Sequence, residues 1–208
     1  VAVAIDSDKD PWDWGMVGFG EVKVINFAGA VIKGDGEGAA AIGVSAGEQV
    51  HRRIEVVNKG TIQGDIVLEA EETRLILANG SITEGSIFMG NGDSTVVVWG
   101  HADVSGVELL DGQGGENELV LKAGDGHVHD LTAMLNADRL ADKVHNFGVI
   151  TISRGLWSLD EEYLADKATR VNGTLVLNNP LILREGGLIG GNGTIRGTVD
   201  NQAGTLAP

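Results

Sequence analysis

Three segments of the chain alternate apolar and polar residues and align with one another. They occupy residues 73–80, 94–100 and 117–124, and each follows a polar turn. Alternation with a period of two indicates β-strands that bury one face. The side chains predicted to point inward are those of Leu75, Leu77, Val96, Val98, Leu119 and Leu121.

A shorter apolar strand precedes each of these segments, at residues 66–68, 87–89 and 107–110. A unit of about 20 residues therefore holds two or three short strands and their turns, which is the size of one solenoid rung. Such a unit cannot bury its apolar face alone, but stacked units share a continuous aliphatic core. The pattern predicts an all-β fold, a right-handed parallel β-helix (β-solenoid) with rungs of about 20 residues. A β-sandwich or barrel, which lacks the steady step, is the alternative.

A short glycine-led motif repeats along the chain. Gly-Thr-Leu at residues 173–175 returns as Gly-Thr-Ile at 193–195, and a shortened copy stands at 204–206. Upstream, Gly-Thr-Ile at 60–62 is followed by Gly-Ser-Ile at 80–82. Each copy is typical of a tight turn that leads into a strand. The step from 173 to 193, and from 60 to 80, is 20 residues, which indicates a coiled, repeating chain of short strands.

The C-terminal end also resembles a known family. Asn-Gly-Thr-Leu at 172–175, the glycine-rich 186–195 and Gly-Thr-Leu-Ala-Pro at 204–208 are similar to the passenger-domain repeat of Gram-negative autotransporters (type V secretion). The strand at 155–159, Gly-Leu-Trp-Ser-Leu, resembles the aromatic-bearing strand that opens the autochaperone region of these passengers. Family members usually continue beyond Ala-Pro, so we expect a truncated piece of a longer protein.

The resemblance implies a division of the chain. Residues 1–145 would form a β-helix stalk with a loop excursion near 125–147, and residues 146–208 would form C-terminal coils of the autochaperone region, which is implicated in nucleating passenger folding. The direction of Trp157 stays open. Together with Leu175, Leu177 and Ile195 of the repeat, the residues expected to have structural roles there are Leu156, Trp157 and Leu159.

The function implied is a non-enzymatic structural segment of a secreted or surface-displayed passenger, an adhesin or virulence-factor stalk. Its expected partners are a host surface or matrix protein, or other passengers through self-association. In the full-length protein, the passenger's own outer-membrane β-barrel is a further partner. The expected location is the surface or surroundings of a Gram-negative bacterium.

The amino-acid composition predicts the kind of core and argues against several classes of function. The chain has 32 glycines and 42% hydrophobic but only 4% aromatic residues, which predicts an aliphatic core. A formal net charge of −15 disfavours binding to nucleic acid or to an anionic membrane surface. There is no cysteine, which excludes disulfides, thiol catalysis and cysteine-ligated zinc.

Three motif matches lack the context that their chemistry requires. The dinucleotide-like pattern at 34–39 precedes a segment too short and glycine-broken for a helix, and the G-x-S-x-G at 43–47 precedes a strand-like alternation. The alternating aspartates from Asp6 suggest a calcium loop, but its sixth and twelfth positions hold Pro11 and Val17. Ordinary turns are predicted at all three places, and no catalytic or cofactor-binding residue is assigned.

The histidines offer one possible metal site. His127 and His129, two residues apart on a strand, would share a face that zinc could use. No third ligand is evident, so they are predicted to be exposed polar residues. The same interpretation applies to His51, His101 and His145, and no metal ligand is assigned.

Two other functions stay open. A β-helical enzyme acting on polysaccharide would need acidic residues clustered with Arg and Lys on one face, whereas the charges here are interpreted as scattered over turns. A host-protein-binding module would use the excursions at 125–147 and 160–167 as contact loops. The first of these includes residues 131–142, where the leucine spacing predicts a short helix or loop.

Overall fold

The computed structural model describes residues 3–7, 21–34, 40–44, 51–132, 143–160, 163–165 and 167–207. Its strands are short, as expected from glycine-rich turns every few residues. In chain order they are β1 (Val3–Ser7), β2 (Glu21–Asn26), β3 (Val31–Lys33), β4 (Ala40–Val44), β5 (His51–Asn58), β6 (Thr61–Gln63), β7 (Asp65–Leu68), β8 (Ala70–Leu77), β9 (Ile82–Phe88), β10 (Asp93–Trp99), β11 (Val107–Asp111), β12 (Asn117–Lys122), β13 (Val128–Asp130), β14 (Val144–His145), β15 (Val149–Arg154), β16 (Leu156–Leu159), β17 (Tyr163–Ala165), β18 (Ala168–Val171), β19 (Thr174–Leu177), β20 (Leu181–Leu183), β21 (Leu188–Gly190), β22 (Thr194–Arg196), β23 (Val199–Asn201) and β24 (Thr205–Ala207).

The strands form four sheets that run along one coil. The longest has the order β1-β2-β5-β8-β10-β12-β15-β18-β21-β24. A seven-stranded sheet joins β3, β4, β6, β7, β9, β11 and β14, and two smaller sheets have the orders β13-β16-β19-β22 and β17-β20-β23. Strand pairs are parallel apart from β1 with β2. The fold is a β-solenoid of about 7 turns with about 21 residues per turn, which confirms the predicted parallel β-helix.

The register of the central rungs follows the alternation of the sequence. Val96 pairs with Leu75 on one side and with Leu119 on the other, and Val98 occupies the same position two residues further along. The chain thus returns after 21 and then 23 residues. The three segments that align in sequence are therefore neighbours in the longest sheet.

One apolar core runs through the rungs. It extends from Val24 near the start of the coil to Ile189 near its end. Trp157 points into the coil and is 0% exposed, which settles the direction that the sequence left open. Leu156 and Ile195 are half-buried. The other residues expected to have structural roles are all buried: Leu75, Leu77, Val96, Val98, Leu119, Leu121, Leu159, Leu175 and Leu177.

The 20-residue step of the glycine-led motif is kept in register at one of its two pairs of copies. Leu175 pairs with Ile195, so the copies at 173–175 and 193–195 do lie on successive rungs. The copy at 204–206 belongs to β24 in the longest sheet and not to the sheet of β19 and β22. Upstream, Thr61 pairs with Ile82, so the copies at 60–62 and 80–82 are out of step by one residue. The expected 20-residue step is off by one at the upstream pair, because the rung there returns after 21 residues.

The rung between β12 and β15 is longer than its neighbours. Leu119 pairs with Ile150, a return of 31 residues. The helix or loop predicted at 131–142 lies almost wholly outside the described residues, as do most of the calcium-like loop from Asp6, the dinucleotide-like pattern and the G-x-S-x-G motif. The division at residue 145 stays a prediction. In the described part of the chain, no helix combines the length and apolarity that spanning a bilayer requires.

Charged side chains collect on the outer face of the longest sheet, where they form rows across successive strands. The expectation that charges are scattered over turns was therefore wrong for β2, β5 and β8. Alternation turns every second side chain of these strands outward, and the parallel register then stacks the charges. One row contains Glu21, Arg53 and Glu72, and the other contains Lys23, Glu55 and Arg74.

Candidate metal centre

Three polar side chains meet where the chain turns out of the longest sheet on two successive rungs. His101 lies in the turn after β10, Asp125 lies in the turn after β12, and His129 stands in the middle of β13. Their potential ligand atoms all lie within 4.8 Å of one another. We refer to His101, Asp125 and His129 as the histidine–aspartate cluster.

The Asp125 carboxylate joins the two imidazole rings. Its Oδ1 lies 2.9 Å from Nε2 of His129, and its Oδ2 contacts Nε2 of His101. Oδ1 also accepts the backbone N–H of His127 at 3.1 Å, which fixes the carboxylate over its own turn. The hydrogen bond with His129, followed by that backbone N–H, holds the pKa of the Asp125 carboxyl well below its usual range. Asp125 is therefore a carboxylate at neutral pH.

His129 is buried, and its ring is held from two sides. Its position in β13 is in register with Trp157 of β16, and the two rings are 5.3 Å apart. On the other side the ring lies against Gly100, where an added Cβ would come within 2.5 Å of Cε1. Its side chain is 7% exposed. A buried imidazole needs a polar partner, and Asp125 supplies it.

His101 forms the outer side of the cluster. Its side chain is 55% exposed and that of Asp125 is 27% exposed. The backbone N–H of His101 donates to Oδ1 of Asn79 on the preceding rung at 3.2 Å, which anchors the turn. Its ring lies 4.9 Å from the His129 ring and 6.4 Å from that of His127, which is exposed. The cluster therefore has one buried wall and one face open to solvent.

Two imidazoles and one carboxylate form a ligand set that suits divalent transition metals. Zinc takes His nitrogens and carboxylate oxygens, whereas calcium and magnesium prefer oxygen ligands alone. Without a metal, the same groups form two charge-assisted hydrogen bonds. A metal would draw on the same three side chains as these hydrogen bonds.

The prediction for His129 was wrong in two respects. It is buried and not exposed, and two further ligands accompany it. The alignment of the strands could have revealed the cluster, because it places Trp99 opposite Lys122. Continuing the first strand by two residues and the second by three brings His101 and Asp125 together. His145 lies in a different sheet, on β14, and the side chain of His51 lies outside the described part of the structure.

The comparisons with known proteins identify no family. The chain matches no protein-family model, no characterised protein and no solved structure. The structure shows a β-solenoid fold, and any assignment to a family or an activity is a proposal.

Proposed function

We propose that this chain is a non-enzymatic structural segment of an autotransporter passenger, a rod that carries or displays other parts of a secreted or surface-attached protein. The observation that carries the proposal is the continuous apolar core from Val24 to Ile189. A core of this kind makes a coil whose stability is built up rung by rung. The resemblance of residues 146–208 to passenger repeats is the reason that the proposal names the autotransporter family of Gram-negative bacteria.

The C-terminal rungs support a role in folding. Ile150, Thr169, Ile189 and Leu206 follow one another in register, with steps of 19, 20 and 17 residues. Short rungs have low sequence separation between contacting strands, which favours fast folding. Trp157 places a large buried side chain at the start of this segment. We propose that these rungs form first and then template the rungs that precede them.

Refolding tests this proposal directly. The whole chain and a fragment ending at residue 147 are unfolded in denaturant and diluted, and β-structure is followed by circular dichroism. The proposal predicts that the whole chain refolds and that the fragment stays unfolded or aggregates. A fragment starting at residue 146 is the matched control, because it should refold on its own. Equal refolding of the whole chain and of the 1–147 fragment would contradict the proposed folding role.

A polysaccharide-acting enzyme is the second candidate, and one groove favours it. Beside the charged rows, a groove is lined by Glu72, Asp93, Glu116, Glu118 and Arg170, with Nη1 of Arg170 3.6 Å from Oε1 of Glu118. Paired carboxylates are the usual catalytic groups for glycosidic bonds. Reducing ends are measured after incubation with a panel of polysaccharides. Release that disappears in Glu118→Gln supports an enzyme, and no release on any of them leaves the structural role.

Binding to a host surface or matrix protein is a proposal for the excursions at 125–147 and 160–167. Loops on a rigid coil are the usual place for contacts with partners. Pull-down of matrix proteins by the whole chain, compared with a chain in which residues 132–143 are replaced by a short Gly-Ser linker, tests the first loop. Loss of a captured protein on replacement assigns the contact to that loop. Concentration-dependent sedimentation of the whole chain tests self-association.

A further inference from the structure

We propose that the histidine–aspartate cluster binds a divalent transition metal of the zinc class. The ligand atoms of a tetrahedral zinc ion, each roughly 2.1 Å from the metal, lie about 3.4 Å from one another. The donor atoms of His101, Asp125 and His129 already lie within 4.8 Å of one another. Rotation of the Asp125 and His101 side chains would bring all three to bonding distance from a single ion.

The buried half of the cluster argues for a built site. In the sheet of β13, β16, β19 and β22, the position of His129 is continued by Trp157, Leu175 and Ile195. An imidazole therefore stands where the next rungs place apolar side chains. Gly100 leaves just enough room for its ring, because any Cβ there would overlap the imidazole. Packing thus fixes the ring with Nε2 turned toward Asp125, which is the preorganisation that a metal ligand needs.

The solvent-exposed side of the cluster is where a coordination position stays free. Three protein ligands leave at least one position free, as in zinc sites that keep water or an exogenous ligand. His101 is 55% exposed, so the free position faces solvent. His127, whose ring lies 6.4 Å from that of His101, stands on the same side. None of the three side chains of the cluster carries sulfur, which selects against copper(I).

A bound ion would link two rungs of the coil. His101 belongs to the rung of β10, whereas Asp125 and His129 follow β12 on the next rung. One metal would therefore join two turns that are also connected by the contact of Asp125 with His101 and by backbone hydrogen bonds such as Gly100 N–H to Lys122 O at 2.8 Å. Because the unfolded chain does not hold the three ligands together, binding adds to the free energy of unfolding. The metal would stabilise the coil next to the long rung between β12 and β15.

Zinc titration of the tag-free whole chain tests the proposal. The protein is treated with a chelator, dialysed and titrated with zinc chloride in a calorimeter, and cobalt(II) is used in parallel because its visible spectrum reports coordination by nitrogen and oxygen. We expect about one ion per chain and a zinc-dependent rise in the melting temperature. His101→Gln and Asp125→Asn should each weaken zinc binding about tenfold or more.

The controls separate a specific site from scattered surface binding and from misfolding. His145→Gln removes an exposed histidine on β14 and should bind zinc like the wild type. If substitutions at the buried His129 prevent folding, the test rests on His101→Gln. His101 is exposed, so the circular dichroism spectrum of this variant should match that of the wild type. No zinc uptake by the wild type, or equal affinity in His101→Gln and His145→Gln, would overturn the proposal.

Discussion

Asn26 and Asn58 hold the same position on neighbouring rungs, and Nδ2 of Asn26 donates a hydrogen bond of 2.9 Å to Oδ1 of Asn58. Both side chains are fully buried. Nδ2 of Asn58 donates onward to the Ile82 carbonyl and to Oγ1 of Thr83, each at 3.0 Å. Its Oδ1 also accepts the N–H of Gly60 at 3.0 Å. One asparagine therefore joins three consecutive rungs at the corner where the chain leaves the longest sheet.

Asn58→Ala should destabilise the coil strongly. It removes four hydrogen bonds, including the one that the buried N–H of Gly60 donates, and Asn26 keeps only its bond to the Thr61 carbonyl. A buried polar group left without a partner costs about 1–3 kcal/mol. We expect the free energy of unfolding to fall by about 3 kcal/mol, measured by urea denaturation. Lys59→Ala, at the exposed neighbour, is the matched control and should change it by less than about 0.5 kcal/mol. Equal effects of the two substitutions would show that the asparagine pair has no special role.

Trp157→Ala should remove the largest buried side chain of the C-terminal rungs. The ring contacts His129 on one rung and is in register with Leu175 on the next, and its Nε1 donates to the Arg154 carbonyl at 3.1 Å. Truncating a buried tryptophan costs about 3–5 kcal/mol because it leaves a cavity. We expect a loss in that range and slower refolding, followed by circular dichroism after dilution from urea.

Leu206→Ala is the control for that substitution. Leu206 lies on β24 at the end of the longest sheet and is 50% exposed, so its truncation leaves no cavity. It should change the unfolding free energy by less than about 0.5 kcal/mol. If Trp157→Ala lowered the free energy of unfolding as little as Leu206→Ala does, the C-terminal rungs would not depend on Trp157.

Alternation predicted much of the fold, because an inward side chain at every second position is a local property of the strand. The pairing of Val96 with Leu75 and Leu119 followed from three strands of similar length and pattern. Which copies of a motif stack was harder to predict, because that depends on the length of every rung between them. Gly-Thr-Leu at 204–206 has the right residues and still lies on another sheet.

The candidate metal centre was missed for a related reason. His127 and His129 drew attention because they are close in sequence, whereas the partners of His129 come from turns on two rungs. His129 is buried because Gly100 has no Cβ where the imidazole lies and because the ring of Trp157 packs against it. Both residues are distant from His129 in sequence, so the residues around His129 do not predict its burial. Polar residues at inward positions, such as Asn26 and Asn58, were equally invisible because their partners become clear only with the register.

Gly85→Ala should show that the corner between β6 and β7 is crowded. Gly85 has φ of 100° in the middle of β9, and an added Cβ would lie 2.8 Å from the backbone carbon of Gly64 on the previous rung. Gly29 has φ of 77° but nothing within 4 Å of its Cβ position. Gly29→Ala therefore measures the cost of the backbone conformation alone, about 1–2 kcal/mol. Gly85→Ala should cost about 2 kcal/mol more by urea denaturation, because the backbone must also move apart. Similar losses in both variants would mean that the corner relaxes freely.

Glu55 should make the stability of the coil depend on pH. Its Oε1 lies 2.7 Å from Nζ of Lys23, and its Oε2 lies 3.4 Å from Nη1 of Arg74, while the side chain is only 11% exposed. The hydrogen bond from Lys23 is the main reason that the pKa of the Glu55 carboxyl is lowered, and the nearby positive charges add to it against the cost of burial. The charged groups that face it from β2, β5 and β8 are Glu21, Lys23, Arg53, Glu72 and Arg74.

A lowered pKa in the folded state fixes the direction of the effect. The stabilisation by Glu55 is complete above the pKa of the unfolded chain, near 4.3 for a glutamate, and is lost as the pH falls through the lower folded value. Wild type and Glu55→Gln are compared by urea denaturation at pH 7 and at pH 3. We expect the wild type to be the more stable at pH 7 and the difference to shrink at pH 3. Glu108→Gln, at an exposed position of β11, is the control and should show no such pH-dependent difference. A gap between wild type and Glu55→Gln that is the same at both pH values would mean that the stabilisation does not come from the charge of Glu55.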